Sequence, residues 1–510
     1  MHVLSFKVKK TSFCSPGDKE KMDRESIVKH ISSFTFFNVL ANFSRVLISG
    51  IVIIYVARTL GPSQYGVVSL ALSVAAVVKL FCDFGISAST AYSLAKSDHP
   101  SSSVYKSGLV LNIFFSLFFA CILFFLAEPI ARVINIGSKT YIQIICLFTF
   151  FTSLFDFTTS SLQGIKKADK IALLNFLQNI FTNILVFVFA YLGYLATGVL
   201  IGYSLGTALI WVLAFVILYS YFNLGRAHLN TQVLKHILLY ALPLLLTSSS
   251  YMLLLRGPTI LLGAYAGTIQ VSYFSIPMRI VEVSSLAAFS LSIVIAPFFT
   301  QKEQTAGRLS WLYVKVFKYG LLLYLPMAFF FALGAYRIIN VVFGPEYGSA
   351  ADVLVILSFY LPFFAISIFT GKMLDFLGLA RPKSIVFAIA AASTIISSFF
   401  VIPVLKEIGA ALVIAVPYTV FSIYIIIRSS RECGVKLTKY YSKTVKLALL
   451  LVLSGIPTYA VLQNSDDLRG LIVSILIYSG LFIILGTQSH LIKISEIRKL
   501  MKIWKSTHTV

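Results

Sequence analysis

Charge, and acidic charge above all, is what this chain has least of. Charged residues make up 12% of its 510 residues and hydrophobic residues 58%, and the net charge of +23 arises from 42 Lys and Arg against 19 Asp and Glu. A typical soluble domain carries about 25% charged residues. The composition therefore excludes an ordinary soluble globular protein.

Common features of enzymes and of metal-binding proteins are also lacking. The five cysteines do not sit where an oxidising compartment would pair them, and neither they nor the seven histidines show a metal-binding spacing. There is no P-loop, and no loop between apolar stretches is large enough to carry an active site outside the membrane. Residues 1–32 lack the apolar core of a cleavable signal peptide. We predict no catalytic activity, no metal and no other cofactor.

Long apolar stretches are abundant instead. Fourteen of them run for roughly 20 to 28 residues, enough to cross the ~30 Å hydrocarbon layer of a bilayer, and backbone groups in lipid have to be satisfied within each segment. We therefore predict an all-α polytopic membrane protein with about fourteen transmembrane helices. The predicted spans, numbered 1 to 14, are 33–57, 66–92, 105–127, 141–162, 170–194, 197–222, 237–264, 271–299, 311–335, 350–374, 384–404, 408–428, 443–463 and 469–488.

Basic residues concentrate in alternate loops. Of the 42 Lys and Arg, 32 lie in the N-terminal tail, every second loop and the C-terminal tail. This positive-inside bias predicts a multi-pass protein of the cell (inner or plasma) membrane with both termini cytoplasmic. The bias also accounts for the net charge, so we expect no nucleic-acid partner.

The order of the spans predicts two six-helix lobes. Span 1 ends in Leu60-Gly61-Pro62 and span 7 in Leu262-Gly263, and each is followed by a tyrosine near the start of the next span. An offset of about 200 residues between two such halves indicates a parallel repeat. The predicted regions are a cytoplasmic tail (1–32), an N-lobe (33–222), a cytoplasmic linker (223–236), a C-lobe (237–428), an appended helix pair (443–488) and a basic cytoplasmic tail (489–510).

Four basic side chains lie deep inside predicted spans, away from the span ends: Arg45, Lys79, Arg256 and Arg279. Each costs about 3 kcal/mol at the centre of a helix, so each needs a partner or a wet cavity. Lys79 precedes Asp83 by one turn, and Arg279 precedes Glu282 by three residues. Both spacings permit an ion pair on one helix face.

Arg45 and Arg256 have no acidic residue on their own spans, which are the first of each half. If both face a common cavity, that cavity suits an anion such as a phosphate or pyrophosphate. Alternatively, they snorkel or pair with Asp156 of span 4, which either titrates in a coupling step or forms a structural ion pair. Pro243 and the Gly257-Pro258 pair are expected to interrupt the regularity of span 7 and to allow a bend there.

Neutral polar residues support the same picture. A stripe at steps of four, three and four residues on span 1 has to face an interior rather than lipid. Amides on span 5 suit a hydroxyl-rich ligand, although hydrogen bonding between helices explains them equally well. The stripe consists of Asn38, Asn42, Arg45 and Ser49, and the amides include Asn175 and Asn179.

Four short motifs stand out: Ala57-Arg-Thr-Leu-Gly-Pro-Ser-Gln-Tyr-Gly66 and Cys82-Asp-Phe-Gly-Ile86 in the first two spans, and later Leu162-Gln-Gly-Ile-Lys-Lys-Ala168 and Val342-Phe-Gly-Pro-Glu-Tyr-Gly-Ser-Ala-Ala351. With these motifs, the chain resembles bacterial and archaeal polysaccharide flippases, most clearly in its first two spans. This is the O-antigen and polysaccharide branch of the multidrug/oligosaccharidyl-lipid/polysaccharide (MOP) exporter superfamily. The resemblance implies two lobes around a central cavity lined by spans 1, 2, 7 and 8. Many such proteins look acidic near the position of Arg256, and this departure favours an anionic ligand here.

The expected function is that of a flippase. The resemblance implies movement of a polyprenyl-pyrophosphate-linked oligosaccharide from the inner to the outer leaflet by alternating access, for surface polysaccharide synthesis. Its partners would be that glycan, membrane lipids and a glycan polymerase or glycosyltransferases, with a Na⁺ or H⁺ gradient as the driving force. The alternatives are a drug or toxin antiporter of the same fold and a non-transport protein of glycan assembly.

Overall fold

The chain is helical throughout the part that the structure describes. The computed structural model describes residues 16–96, 102–222, 228–295, 306–435, 441–464, 467–489 and 491, and the side chains described in the first helix begin at Ile48. Ten of its helices are long and apolar enough to cross a membrane. The predicted all-α membrane fold is therefore confirmed. The helices are α1 (Pro16–Asp83), α2 (Ile86–Lys96), α3 (Ser102–Phe125), α4 (Ala127–Val133), α5 (Lys139–Gly164), α6 (Ala168–Tyr191), α7 (Leu195–Phe222), α8 (Thr231–Ala266), α9 (Thr268–Ile295), α10 (Ala306–Val342), α11 (Ala350–Phe376), α12 (Ala380–Glu432), α13 (Tyr441–Asn464) and α14 (Leu468–Gln488), with a 3₁₀ turn at Pro345–Tyr347.

Two of the long helices each contain two predicted spans. In α1, spans 1 and 2 are separated at Gly61, whose φ of 69° and ψ of 173° are open only to glycine. Pro62 follows at the first position of the next helical segment, where its missing N–H is not needed. In α12, spans 11 and 12 are separated at Lys406, where φ is 46°. Both breaks fall between the predicted spans.

A further break, which the sequence did not lead us to expect, interrupts span 2. Phe84 (φ 49°) and Gly85 (φ 76°) separate the end of α1 from α2. Helix α8 continues as one helix through Pro243 and Gly257-Pro258 to Ala266, and the bend that these residues allow stays a prediction. At Gly257 a Cβ atom would lie 2.4 Å from the Ile395 side chain, so this glycine permits close packing against α12.

The helices form two lobes and an appended pair. Spans 1–6 (α1–α7) pack together as one lobe and spans 7–12 (α8–α12) as the other, while α13 and α14 pack on each other and on α10. The lobes meet where α1 packs against α8 and α9. We call the end of the bundle that carries Gly61 and Gly267 the Gly61 end, and the opposite end, where α2 finishes and α8 begins, the linker end. The predicted residue limits of the lobes and tails stay predictions.

The outer surface of the bundle is apolar. Large hydrophobic side chains point outward, among them Phe125, which is 80% exposed, Phe400 at 73% and Val404 at 75%. Buried between the helices are many serines and threonines whose hydroxyls donate to main-chain carbonyls one turn earlier, such as Thr158 to Leu154. This arrangement, apolar outside and small polar groups at helix contacts, suits a lipid surrounding.

Candidate functional site

A cavity of about 260 Å³ lies between the two lobes. The segments on both sides of Gly61 in α1, together with α8 and α9, contribute to its wall, as the resemblance implied for spans 1, 2, 7 and 8. Helices α5 and α7, which correspond to spans 4 and 6, line it as well. The polar side chains of the wall are Tyr65, Ser69, Ser73, Lys79, Thr149, Thr152, Tyr203, Arg256, Thr259, Ser275, Arg279 and Glu282.

One carboxylate in this wall is shared by two arginines. Glu282 of α9 lies 3.0 Å from an Nη of Arg279 on its own helix and 3.1 Å from an Nη of Arg256 on α8. The Arg279–Glu282 pair expected from the sequence spacing is confirmed. Arg256, which has no acidic residue on its own span, pairs with a carboxylate of the neighbouring helix, so the alternative that it pairs with Asp156 is wrong. The group of Arg256, Arg279 and Glu282, here called the arginine cluster, keeps one net positive charge.

Lys79 has a different partner from the one its spacing suggested. Its ammonium group forms an ion pair with the carboxylate of Asp156 on α5. Asp83, one turn from Lys79, instead accepts hydrogen bonds from the backbone N–H of Ser87 at 3.3 Å and from the Ser87 hydroxyl. The interpretation that Asp156 forms a structural ion pair therefore holds, with Lys79 in place of the arginines as the cation.

Asp83 belongs to a polar network inside the first lobe. The Asn112 amide on α3 donates to Asp83 at 3.5 Å and to the Ser153 hydroxyl of α5 at 3.3 Å. The Ser116 hydroxyl lies 2.8 Å from the Ser153 hydroxyl and 3.2 Å from the Cys82 carbonyl oxygen. Sequence reasoning missed Asn112 and Ser153, although a lone asparagine within an apolar span was a usable signal.

The amides of α6 serve helix packing. Asn179 and Asn183 donate to the Ser49 hydroxyl of α1 at 2.9 and 3.3 Å. Asn175 is half-buried on the same helix, and none of these amides is among the residues that line the cavity. Of the two interpretations of the amides, hydrogen bonding between helices is the one that the contacts support. The side chains of Asn38, Asn42 and Arg45 lie outside the described residues.

The two lobes are joined at the Gly61 end. Arg58 donates from Nε to the Val342 carbonyl at 2.8 Å and from an Nη to the Val341 carbonyl. Asn135 of the first lobe donates to the Ala264 carbonyl of the second at 2.8 Å. These contacts close the space between the lobes beside the loops that follow spans 1 and 7.

Contacts also join the lobes at the linker end. The Ser89 hydroxyl of α2 donates to the Ile237 carbonyl of α8 at 2.8 Å. The rings of Tyr92 and Tyr240 stack with centroids 4.6 Å apart. The short helix α2 is thus fixed to the first two turns of the second lobe.

A separate ionic group lies at the surface of the Gly61 end. Glu128 accepts hydrogen bonds from Arg132 at 2.5 Å and from Lys139 at 3.2 Å, and these two basic neighbours lower the pKa of its carboxyl group. The group is exposed and remote from the cavity wall. It provides a control for the charged groups inside.

A two-lobed helical bundle with a charged central cavity defines a class of polytopic helical membrane protein. Residues 55–352, more than half of the chain, match a family model described as polysaccharide biosynthesis protein. The chain therefore belongs to the polysaccharide biosynthesis protein family, and the relationship predicted from its sequence motifs is confirmed.

Known proteins agree with this assignment. The chain is 25% identical over 401 residues to the capsular polysaccharide biosynthesis protein CapF of Staphylococcus aureus, covering 76% of this chain and 96% of that one. Its fold is similar to the lipid II flippase MurJ in an inward closed conformation (TM-score 0.71, 17% identity, 91% of this chain and 99% of the other). It is also similar to an inward-facing multidrug resistance MATE family transporter of the MOP superfamily (TM-score 0.60, 17% identity, 78% and 98%).

Proposed function

We propose that this chain is a flippase that moves a polyprenyl-pyrophosphate-linked oligosaccharide from the cytoplasmic to the outer leaflet by alternating access. The observation that carries the proposal is the arginine cluster in the wall of the cavity between the lobes. Family membership supports a role in polysaccharide synthesis. The similarity of the fold to that of a lipid II flippase supports a role in moving a lipid across the membrane.

The charges of the wall favour an anion. Arg256 and Arg279 contribute two positive charges and Glu282 one negative charge, while Lys79 is neutralised by Asp156. Arginine binds phosphate oxygens through two parallel N–H bonds. A diphosphate entering the cavity would compete with Glu282 for both guanidinium groups. An organic cation would meet the net positive charge and be repelled.

The size of the cavity indicates which part of the substrate it accepts. Its volume of about 260 Å³ is slightly below the roughly 300–1,000 Å³ of ordinary small-molecule sites. A headgroup fragment of diphosphate size fits this space, whereas a whole oligosaccharide needs the lobes to separate. The polyprenyl chain would stay in the lipid beside the bundle.

The positive-inside bias orients the molecule. With both termini in the cytoplasm, the Gly61 end faces outward and the linker end faces inward. Release to the outer leaflet then requires the contacts of Arg58 and Asn135 at the Gly61 end to break. An ion gradient would supply the energy of this step, and a glycan polymerase or glycosyltransferases would act on the lipid before or after it crosses.

Substitutions of the cavity arginines test the proposal. In a strain lacking the gene, wild type is expected to restore surface polysaccharide, whereas Arg256→Ala/Arg279→Ala leaves lipid-linked oligosaccharide on the cytoplasmic leaflet. Arg132→Ala, which removes an exposed arginine from the surface, is the matched control. Arg45→Ala/Arg256→Ala extends the test to the arginine that the sequence singled out. Normal surface glycan in both double variants, at equal amounts of membrane protein, would refute the mechanism.

An antiporter for drugs is the second candidate, because MATE transporters share the fold and Glu282 places a carboxylate in the cavity wall. The two functions differ in what a deletion strain shows. Raised sensitivity to cationic drugs with normal surface glycan identifies an antiporter. Loss of glycan with unchanged drug sensitivity identifies a flippase.

A further inference from the structure

The group of charges around Lys79 is not neutral. Lys79 pairs with Asp156, and Asp83 lies one turn away on the same helix as Lys79. Among the side chains that the structure describes here, two carboxylates and one ammonium group leave one excess negative charge. Ionised groups within membrane-spanning helices are costly unless a counter-charge neutralises them. A proton on Asp83 would make this group of described side chains neutral.

A buried acceptor beside Asp83 also lacks a donor. Asn112 is fully buried, and its Oδ1 atom has no hydrogen-bond partner although its Nδ2 reaches both Asp83 and Ser153. Oδ1 is bonded to the same carbon as Nδ2, so it lies at the edge of the same network. Buried polar atoms without a partner are rare in native proteins and call for an explanation.

A proton on Asp83 removes the excess charge and offers Oδ1 of Asn112 a donor. We propose that Asp83 takes up and releases a proton in each transport cycle, and this inference rests on the proposed function. A proton from the aqueous phase converts the Asp83 carboxylate into a neutral carboxylic acid. Rotation of the Asn112 amide about its last bond then lets Oδ1 accept the new O–H, while Nδ2 moves to the position that Oδ1 leaves.

The other described groups that face Asp83 are already engaged in an ion pair or are neutral, so Asp83 is the carboxylate that can accept a proton. Lys79 and Cys82 lie on its own helix, and Asp156, which is engaged by Lys79, faces it from α5. Helix α3 contributes the neutral side chains of Asn112 and Ser116. Where α8 packs beside the break, at Gly85, it contributes main-chain atoms of Ala241 and Leu245.

Asp83 is placed where its charge affects the backbone. It is the last residue of α1 before the Phe84–Gly85 break, and it accepts a hydrogen bond from the N–H of Ser87 in the first turn of α2. A carboxylate stabilises the start of a helix through such bonds and through the helix dipole, and a neutral acid does so less. Protonation therefore weakens the link between the two halves of span 2.

The break is coupled directly to the second lobe. A Cβ at Gly85 would lie 2.5 Å from the Ala241 carbonyl oxygen, so the chain passes α8 too closely for any side chain at this position. Ser89 and Tyr92 of α2 contact α8 through Ile237 and Tyr240. A change of the angle at Phe84–Gly85 has to move α8 or break these contacts. Protonation of Asp83 would in this way be coupled to the opening of the linker end.

Infrared spectroscopy of the purified full-length protein in lipid tests the site without any substrate. Between alkaline and acidic pH, the wild type is expected to gain the C=O band of a protonated carboxylic acid, and Asp83→Asn to lose that band. Asp156→Asn should keep it, as should Glu128→Gln, which changes an exposed carboxylate at the surface. A band that persists in Asp83→Asn, or that disappears only in Asp156→Asn, overturns the assignment. Suppression of the band by added Na⁺ at constant pH also overturns it, since the site would then be a sodium site.

Transport is measured separately in proteoliposomes containing the lipid-linked oligosaccharide. Wild type should transport several-fold faster with a pH gradient than without one, and Asp83→Asn should transport at one rate in both conditions. An undiminished response to the gradient in Asp83→Asn refutes coupling through this residue. If the wild type shows the infrared band but moves no lipid-linked oligosaccharide, the proposed function fails while the proton site stands.

Discussion

The phenol of Tyr347 donates a 2.7 Å hydrogen bond to the main-chain carbonyl oxygen of Ala57. Tyr347 belongs to the 3₁₀ turn between α10 and α11, and Ala57 to the last turn before Gly61, so the bond joins the two lobes. Both residues are buried, and the Tyr347 ring meets that of Tyr65 edge to face at 6.4 Å. Two of the sequence motifs that carry the family resemblance thus meet in space and form the closed Gly61 end.

Tyr347→Phe is expected to favour opening at the Gly61 end. The substitution removes one hydrogen bond between the lobes, at a cost of about 0.5–1.5 kcal/mol in the closed state. That corresponds to roughly a two- to tenfold shift of the equilibrium toward the open state. Distances between spin labels on the two lobes, measured in lipid, report this shift. Tyr336→Phe removes the same hydroxyl from an exposed tyrosine at 61% exposure and should leave the distances unchanged.

Glu282→Gln is expected to change ligand binding in the opposite direction from an arginine substitution. It removes the carboxylate that engages both arginines and raises the net charge of the arginine cluster from one to two. We expect inorganic pyrophosphate to bind roughly tenfold tighter and to raise the melting temperature of this variant more than that of the wild type. Slower transport should accompany the tighter binding, because product release becomes harder.

Isothermal titration with pyrophosphate and thermal unfolding check this outcome. Glu128→Gln, which removes the carboxylate shared by Arg132 and Lys139 at the surface, is the control with the same chemistry. Weaker pyrophosphate binding by Glu282→Gln would mean that Glu282 itself contacts the ligand or that the cavity does not bind anions.

The partner of Lys79 can be established by compensating substitutions. Lys79→Ala leaves Asp156 unpaired and should lower the free energy of unfolding by roughly 1–3 kcal/mol, less than the 3–5 kcal/mol of a fully buried pair, because both side chains are partly exposed. The double variant Lys79→Ala/Asp156→Ala should recover most of that loss. Lys79→Ala/Asp83→Ala should not. If Lys79→Ala/Asp83→Ala recovers the loss and Lys79→Ala/Asp156→Ala does not, the partner of Lys79 is Asp83, as the sequence spacing suggested.

Much of the architecture could be predicted because its physical signals are local. Apolar length identifies the spans, and the Leu60-Gly61-Pro62 sequence marks a turn, since glycine alone adopts the backbone angles found there. The ion pair of Arg279 with Glu282 was predictable for the same reason, because residues three apart on a helix are neighbours.

The partners that were missed lie on other helices. Arg256 meets Glu282, and Lys79 meets Asp156, across helix contacts that no spacing along the chain reveals. The break at Phe84 was missed because aromatic residues rarely adopt positive φ, and a single glycine within an apolar span is usually tolerated in a helix. The Asn112 network requires three helices to be placed before its members come together.

Gly66→Ala is expected to disrupt the contact between the lobes at the Gly61 end. A Cβ at Gly66 would lie 1.8 Å from the carbonyl oxygen of Thr268, a main-chain atom at the start of α9 that cannot rotate away. The lobes have to separate locally, and overpacking of this kind costs about 1–3 kcal/mol. The same substitution at Gly50, which has no neighbour within 4 Å of its Cβ position, is the matched control and should be harmless or slightly stabilising through helix propensity.

Two measurements separate loss of closure from simple unfolding. Thermal unfolding in detergent should show a lower melting temperature for Gly66→Ala than for Gly50→Ala. Spin-label distances across the Gly61 end should lengthen for Gly66→Ala at temperatures where the protein remains folded. A normal melting temperature together with unchanged distances would show that Gly66 and Thr268 do not approach each other this closely in the membrane.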